Sequence, residues 1–293
     1  MHILVCSDGT EPANNAIQIG ALVAAPIKAQ ITLLGIAEAS RDEAQLREAL
    51  EAQAQSLAQR DLKPEIVVRA GEPVGQILVQ TSRANYDLVI IGSRRKDEVG
   101  RYWLSGKTYE VIKSIRPPVL VAIGDCHRLK RFLVCTGGKE FIDEAIELTG
   151  KVAVAVGASV TLLHVMAEPP ALYADLVRLE EDVDQLLKSS SELGINLAQQ
   201  KKDLESAGVP TEVRVRHGLV VDQVFQELSE GNYDLIVAGS SQGRGIFRHY
   251  VMGDLTRKIL NRATCPVLVV RAGKVVGARG FWHSLRRFRS QPQ

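Results

Sequence analysis

Apolar positions along this chain follow two alternating spacings. Short unbroken runs rich in Ile, Leu and Val read as strands buried on both faces. Between them apolar residues recur every three or four positions, as at Ala13, Ile17, Ala21 and Ala24, which is the period of a helix with one buried face. The pattern predicts strand His2–Ser7, helix Glu11–Ala24, strand Ile31–Ala37, helix Arg41–Gln59, strand Glu65–Arg69, helix Val74–Ala84, strand Leu88–Ile91, helix Gly106–Ile115 and strand Val119–Ala122. It then runs again through strands Phe132–Cys135, Val160–Val165, Thr211–Arg216, Leu235–Ala238 and Val267–Val270. Their helices are Asp143–Val156, Ala174–Ala207, Val220–Glu230 and Asp254–Arg262. Buried strands that alternate with helices require right-handed crossovers, so the expected fold class is α/β: two tandem, doubly wound, five-stranded parallel-sheet modules of Rossmann-like type.

The repetition extends to individual residues. Asn85-Tyr86-Asp87-Leu88 through Gly92-Ser93 returns as Asn232-Tyr233-Asp234-Leu235 through Gly239-Ser240, an offset of 147. Leu4-Val5-Cys6 returns as Leu133-Val134-Cys135 at an offset of 129. The difference places 18 extra residues in the second copy, within the stretch 174–207, which is long for a globular helix and is expected to break or project. The modules span 1–123 and 131–272, joined by a linker at 124–130 and followed by a tail at 273–293.

A chain of 293 residues suits two domains. No apolar run approaches the length of a membrane span, and no leader pattern is visible, so the expected location is the cytoplasm. The four cysteines include no CxxC pair and read as reduced buried thiols. Residues 1–125 carry a net charge of −1 and residues 126–273 of −2, while the last 20 carry five basic groups and no acid. Neither module presents the basic patch of a nucleic-acid-binding protein.

Ligands of open α/β sheets lie beyond the carboxyl ends of the strands, where the strand order reverses. After strand one, Ser7-Asp8-Gly9-Thr10 offers Asp8 either as a hydrogen-bond acceptor for a ligand or as a cap for the next helix. Gly137 stands in its place in the second copy. After strand four, Gly239-Ser240-Ser241-Gln242-Gly243 is followed by Gly253-Asp254 at a helix start, a pattern that either cradles phosphate or forms a flexible turn. The first copy has Gly92-Ser93-Arg94-Arg95-Lys96 and then Gly106-Lys107-Thr108, with cations in place of the middle glycine. Gly106-Lys107-Thr108 is not a Walker loop, because Arg101 occupies the position where that loop needs glycine.

Together these residues resemble the universal stress protein family in its tandem form. The resemblance rests on Val5-Cys6-Ser7-Asp8-Gly9-Thr10-Glu11-Pro12, the Thr-Leu-Leu strands, the Tyr-Asp-Leu strands ending in Gly-Ser, and the closing Cys265-Pro266-Val267-Leu268-Val269-Val270. In the family's ATP-binding members an acid after strand one and the main chain near the end of strand two hold adenosine, and a glycine loop ending in Gly-Ser/Thr holds phosphates. For this chain the resemblance implies candidate contacts at Asp8, Ile36, Gly92, Ser93 and Gly106 in the first copy. In the second it implies Val165, Gly239, Ser240, Gly243, Gly253 and Asp254. Each copy therefore keeps half a site: the first has the acid without the full cradle, the second the cradle without the acid. Asp254 set against a triphosphate would cost about 4 kcal/mol at ~4 Å and an effective dielectric of ~20. A bridging Mg²⁺ would reverse that sign, whereas a helix-capping role needs no ion.

The expectation is a cytosolic stress-associated regulatory protein with weak or vestigial binding of ATP or another adenine nucleotide, and not an enzyme. The alternative is a competent ATP switch working through the loop of the second copy. His164 is the best histidine candidate for chemistry, set against a structural role at the strand end. Val119–Ala122 and Val267–Val270 are exposed edges expected to pair the copies as an intramolecular pseudo-dimer, which could dimerise again. Phe281, Trp282, Leu285 and Phe288, flanked by Arg286, Arg287 and Arg289, suit either a membrane surface or partner groove, or a disordered tail.

Overall fold

The structure, a computed structural model, describes residues 1–10, 13–37, 39–95, 102–103, 106–137, 143–167, 183–240 and 254–271. Glu11 and Pro12, Lys96, residues 174–182, Gly243, Gly253 and the tail at 273–293 lie outside the described residues.

In the first module β1 (His2–Ser7), β2 (Gln30–Ala37), β3 (Glu65–Ala70) and β4 (Leu88–Gly92) alternate with α1 (Asn14–Ala24), α2 (Glu43–Ala58) and α3 (Pro73–Arg83). Two two-residue strands, β5 (Arg94–Arg95) and β6 (Tyr102–Trp103), then pair antiparallel before α4 (Gly106–Ser114) and β7 (Val119–Ala122). The second module runs β8 (Arg131–Cys135), α5 (Asp143–Val156), β9 (Ser159–Met166), α6 (Val183–Lys188), α7 (Glu192–Ser206) and β10 (Thr211–His217). It closes with α8 (Val220–Gly231), β11 (Leu235–Ser240), α9 (Asp254–Arg262) and β12 (Val267–Arg271).

The strand order is β3-β2-β1-β4-β7 in one module and β10-β9-β8-β11-β12 in the other, parallel within each. Both are doubly wound, and the order reverses between β1 and β4 and between β8 and β11. The two sheets fuse into one of ten strands through an antiparallel β7–β12 pair, with Leu120 opposite Leu268. The edge pairing expected from the sequence thus occurs within the chain. Around the seam the Tyr109 hydroxyl donates to Asn261 Oδ1, the Arg257 guanidinium lies 5.5 Å from the Tyr109 ring, and Arg271 donates to the carbonyls of Ile112 and Lys113.

The described part of the long stretch of the second copy, 183–207, holds two helices. Ser191 ends the break between α6 and α7, its hydroxyl accepting from the Gly194 amide as an N-cap. A Cβ at Gly194 would stand 2.2 Å from the Leu186 carbonyl, so the glycine lets α6 fold back onto α7. Helix α7 is the counterpart of α2, and the insertion lies before it.

The repeated Tyr-Asp pair is structural. Asp87 accepts from the His2 amide and Asp234 from the amides of Lys130 and Arg131, so each aspartate ties the start of strand four to the start of strand one. Gly35 shows how closely the first module is packed. A Cβ there would meet Leu50 Cδ1 at 2.6 Å and Leu46 at 3.0 Å, and Leu50 is fully buried. Gly35→Val is expected to lower stability by about 1–3 kcal/mol through overpacking; chemical denaturation checks it, and an unchanged midpoint would contradict the packing described.

Candidate functional site

The first module opens at the carboxyl ends of β1, β2 and β4 into a cleft of about 840 Å³. Asp8, Ile36, Gly92 and Ser93 all line it, as do Lys107 and Thr108 from the first turn of α4. Gly106 begins α4 and is exposed, one residue before that lining. The walls are apolar: Leu34, Leu46, Ile77, Ile91 and Val111. Loops at these strand ends carry the polar groups because the strands themselves are spent on packing.

Asp8 is not the cap of α1. That helix starts at Asn14, with Ala13 before it and no side-chain cap. Asp8 Oδ1 instead accepts from the amide and hydroxyl of Thr10, a tight local turn that holds an exposed carboxylate at the cleft mouth. Gly9 allows that turn: its φ is +75°, and a Cβ would touch Ala49 and Leu46. A Cβ at Gly92 would meet nothing within 4 Å, so the end of β4 faces open space. The Ser93 hydroxyl donates to the Ala122 carbonyl at 2.8 Å, so Ser93 is tied to β7.

The N-terminus of α4 carries partial positive charge. Lys107 stands beside Glu72, whose carboxylate caps α3 through the amides of Val74 and Gly75. Those bonds, first from Gly75 and then from Val74, with the Lys107 charge added, hold the Glu72 carboxyl below its usual range. Asp42 adds a second acid to the lining. Cys6 also lines the cleft, and burial pushes its thiol up to about 12, so it stands there as a neutral group. The side chains of Arg94 and Arg95 lie outside the described residues.

In the second module Val165 and Gly239 occupy the corresponding strand ends. Ser240 is the last residue of β11 and Asp254 the first of α9, though neither side chain is among those described. Gly243 and Gly253 are also undescribed, so the cradle expected of this copy lies outside the described residues. At Gly137 a Cβ would meet nothing within 4 Å among the described residues, where the first copy has Asp8.

Two polar networks that the sequence reading missed sit beside these ends. Ser7 Oγ donates to Gln53 Oε1, and Thr136 Oγ1 to Gln200 Oε1, so each strand-one loop is tied to the helix after strand two. Deeper in the first module Arg69 donates to Gln80, which donates to the Tyr86 hydroxyl. The second module has Arg216, Glu227 and Tyr233 at the same offset, with Arg214 added. The signal was present: at the 147 offset Gln53 matches Gln200, and Arg69 and Tyr86 match Arg216 and Tyr233.

The universal stress protein family model matches this chain twice, over residues 1–122 and 128–271. The chain belongs to the universal stress protein family. It is 24% identical over 146 residues to universal stress protein YxiE of Bacillus subtilis, covering 48% of this chain and 98% of that one. The fold matches a universal stress protein of Archaeoglobus fulgidus with a TM-score of 0.65 and 20% identity, over 93% and 98% of the two chains. It also matches a functionally unknown protein of Pseudomonas aeruginosa PAO1 with a TM-score of 0.70 and 13% identity, over 98% and 96%. Both matches run across the two modules of this universal stress protein. Among its described residues no helix is long and apolar enough to cross a membrane.

Proposed function

We propose that this chain is a cytosolic, stress-associated regulatory protein that senses an adenine nucleotide in the cleft of its first module, weakly and without turning it over. One observation carries the reading: a single cleft collects Asp8, Ile36, Gly92 and Ser93 with Lys107 and Thr108 at the start of α4. In the ATP-binding members that the sequence resembles, the corresponding acid and strand-two position serve adenosine. The apolar walls suit a purine, and the helix start with Lys107 suits phosphate. Weakness follows from charge: Asp8 and Asp42 line the same cleft, and Lys107 is shared with Glu72. The neutral Cys6 thiol supports a binding role over nucleophilic chemistry, because the thiolate is the reactive form.

Lys107→Gln tests the phosphate end by calorimetric titration. Affinity for ATP–Mg²⁺ is expected to fall about tenfold, the effect of losing one charge-assisted hydrogen bond, with affinity for adenosine unchanged. Equal ATP affinity in both proteins would remove the helix start from the site. Phosphate release above buffer background would contradict sensing without turnover.

A further inference from the structure

The second module departs from the first at two neighbouring positions. His164 on β9 stands where the first module has Gly35, and His217 on β10 where it has Ala70. Leu162 on β9 and Val213 and Val215 on β10 pack into the core beneath α7, and side chains alternate along a strand, so both histidines face that same side. The register sets Val215 beside His164 and His217 beside Met166, so the two rings are diagonal neighbours on adjacent strands.

The hydrogen bonds fix what one ring presents. His164 Nδ1 lies 2.9 Å from the Thr136 carbonyl oxygen, which can only accept. Nδ1 therefore carries the proton, and Nε2 of the neutral ring offers a lone pair. Histidines that ligate metals have this second bond, one ring N–H donated to a backbone carbonyl while the other nitrogen binds. His217 Nε2 is buried with no partner among the described residues, an arrangement that costs free energy unless something satisfies it. Gln200, 3% exposed, likewise leaves Nε2 without a partner at the Thr136 loop.

We propose that His164 Nε2 and His217 Nε2 form a two-imidazole site for a divalent transition-metal ion of the zinc, nickel or copper class, specific to the second module. Imidazole favours those ions over magnesium and calcium, which take oxygen ligands. Two protein ligands leave coordination positions open to solvent or to a ligand of the same module. The first module, with glycine and alanine at these places, has no counterpart.

The test is titration of Zn²⁺ into the full chain without nucleotide, read by calorimetry and by ¹⁵N imidazole NMR. The spectrum is expected to show His164 as the Nδ1–H tautomer before zinc, and a shift of Nε2 in both histidines on addition of one equivalent. His164→Ala and His217→Ala are each expected to weaken binding at least about tenfold, the smallest loss seen even when only a supporting group is removed. His127→Ala is expected to leave binding unchanged. Zinc bound equally well by the double variant, no binding by the wild type, or an Nε2–H spectrum for His164 that does not move would each overturn the site. The NMR result decides the matter even if an alanine variant fails to fold.

Discussion

Glu227→Ala is expected to destabilise the second module by about 3–5 kcal/mol, more than any other single substitution considered for this chain. Glu227 is fully buried, and its two oxygens answer three donors: Arg214 at 2.9 Å, Arg216 at 2.7 Å and the Tyr233 hydroxyl at 2.6 Å. Alanine would leave a void, strip the buried Tyr233 hydroxyl of its acceptor and reduce Arg214 and Arg216 to their outer partners Glu212 and Glu230. Glu227→Gln is the built-in control. It recreates the arrangement of the first module, where the Gln80 amide takes Arg69 through its oxygen and donates to Tyr86 through its nitrogen. The glutamine variant is expected to lose less than half as much as the alanine variant. Denaturant unfolding of the two variants checks the pair, and equal losses would mean that the network is not what holds β10 to α8.

The same carboxylate sets a pH dependence. Burial raises its pKa, but the bonds from Tyr233 and Arg216 and the charges of both arginines outweigh burial and hold it below the usual range. A depressed folded-state value contributes stability above the unfolded value, and that stability is lost as pH falls through the folded one. Acid titration is therefore expected to destabilise the wild type more steeply than Glu227→Gln.

Asp8→Ala is expected to weaken binding of adenosine and of ATP alike, by about 10- to 100-fold. That range corresponds to losing a hydrogen bond to a charged acceptor, about 1.5–3 kcal/mol. Asp8 is exposed and its turn closes on Thr10 at the surface, so the loss of stability is expected to stay small beside the loss of binding. The pattern separates the two ends of the cleft: Lys107→Gln spares adenosine, whereas Asp8→Ala does not. The reverse experiment belongs to the other module. Gly137→Asp places an acid where a Cβ has open space among the described residues, and it is expected to strengthen nucleotide binding there. Unchanged binding in both variants would separate the strand-one loop from recognition.

The sheet was legible because burial on both faces writes strands as unbroken apolar runs, and all ten strands of the sheet lie where those runs fall. The β5–β6 ribbon was not legible: Arg94–Arg95 and Tyr102–Trp103 are too short to show a period. Of the first expected helix, the described α-helical part begins at Asn14, and Glu11 and Pro12 lie outside the described residues. The long stretch of the second copy was expected to break or project, and it breaks at Ser189, Ser190 and Ser191; the exact place was not legible because a cap, not a proline, marks it. Of the site, the strand-end positions could be read because topology decides where a doubly wound sheet binds. The Thr10 turn at Asp8, the Gln53 and Gln200 ties and the histidine pair could not, because each depends on which side chains meet across elements distant in sequence.

The central claim is the proposal that an adenine nucleotide binds in the cleft of the first module. Calorimetric titration of ATP–Mg²⁺ into the full chain, with the bound nucleotide located by crystallography, tests it directly. The account predicts one equivalent per chain, seated against Asp8 and the start of α4. Two equivalents at full occupancy, or nucleotide ordered only in the second module, would contradict it.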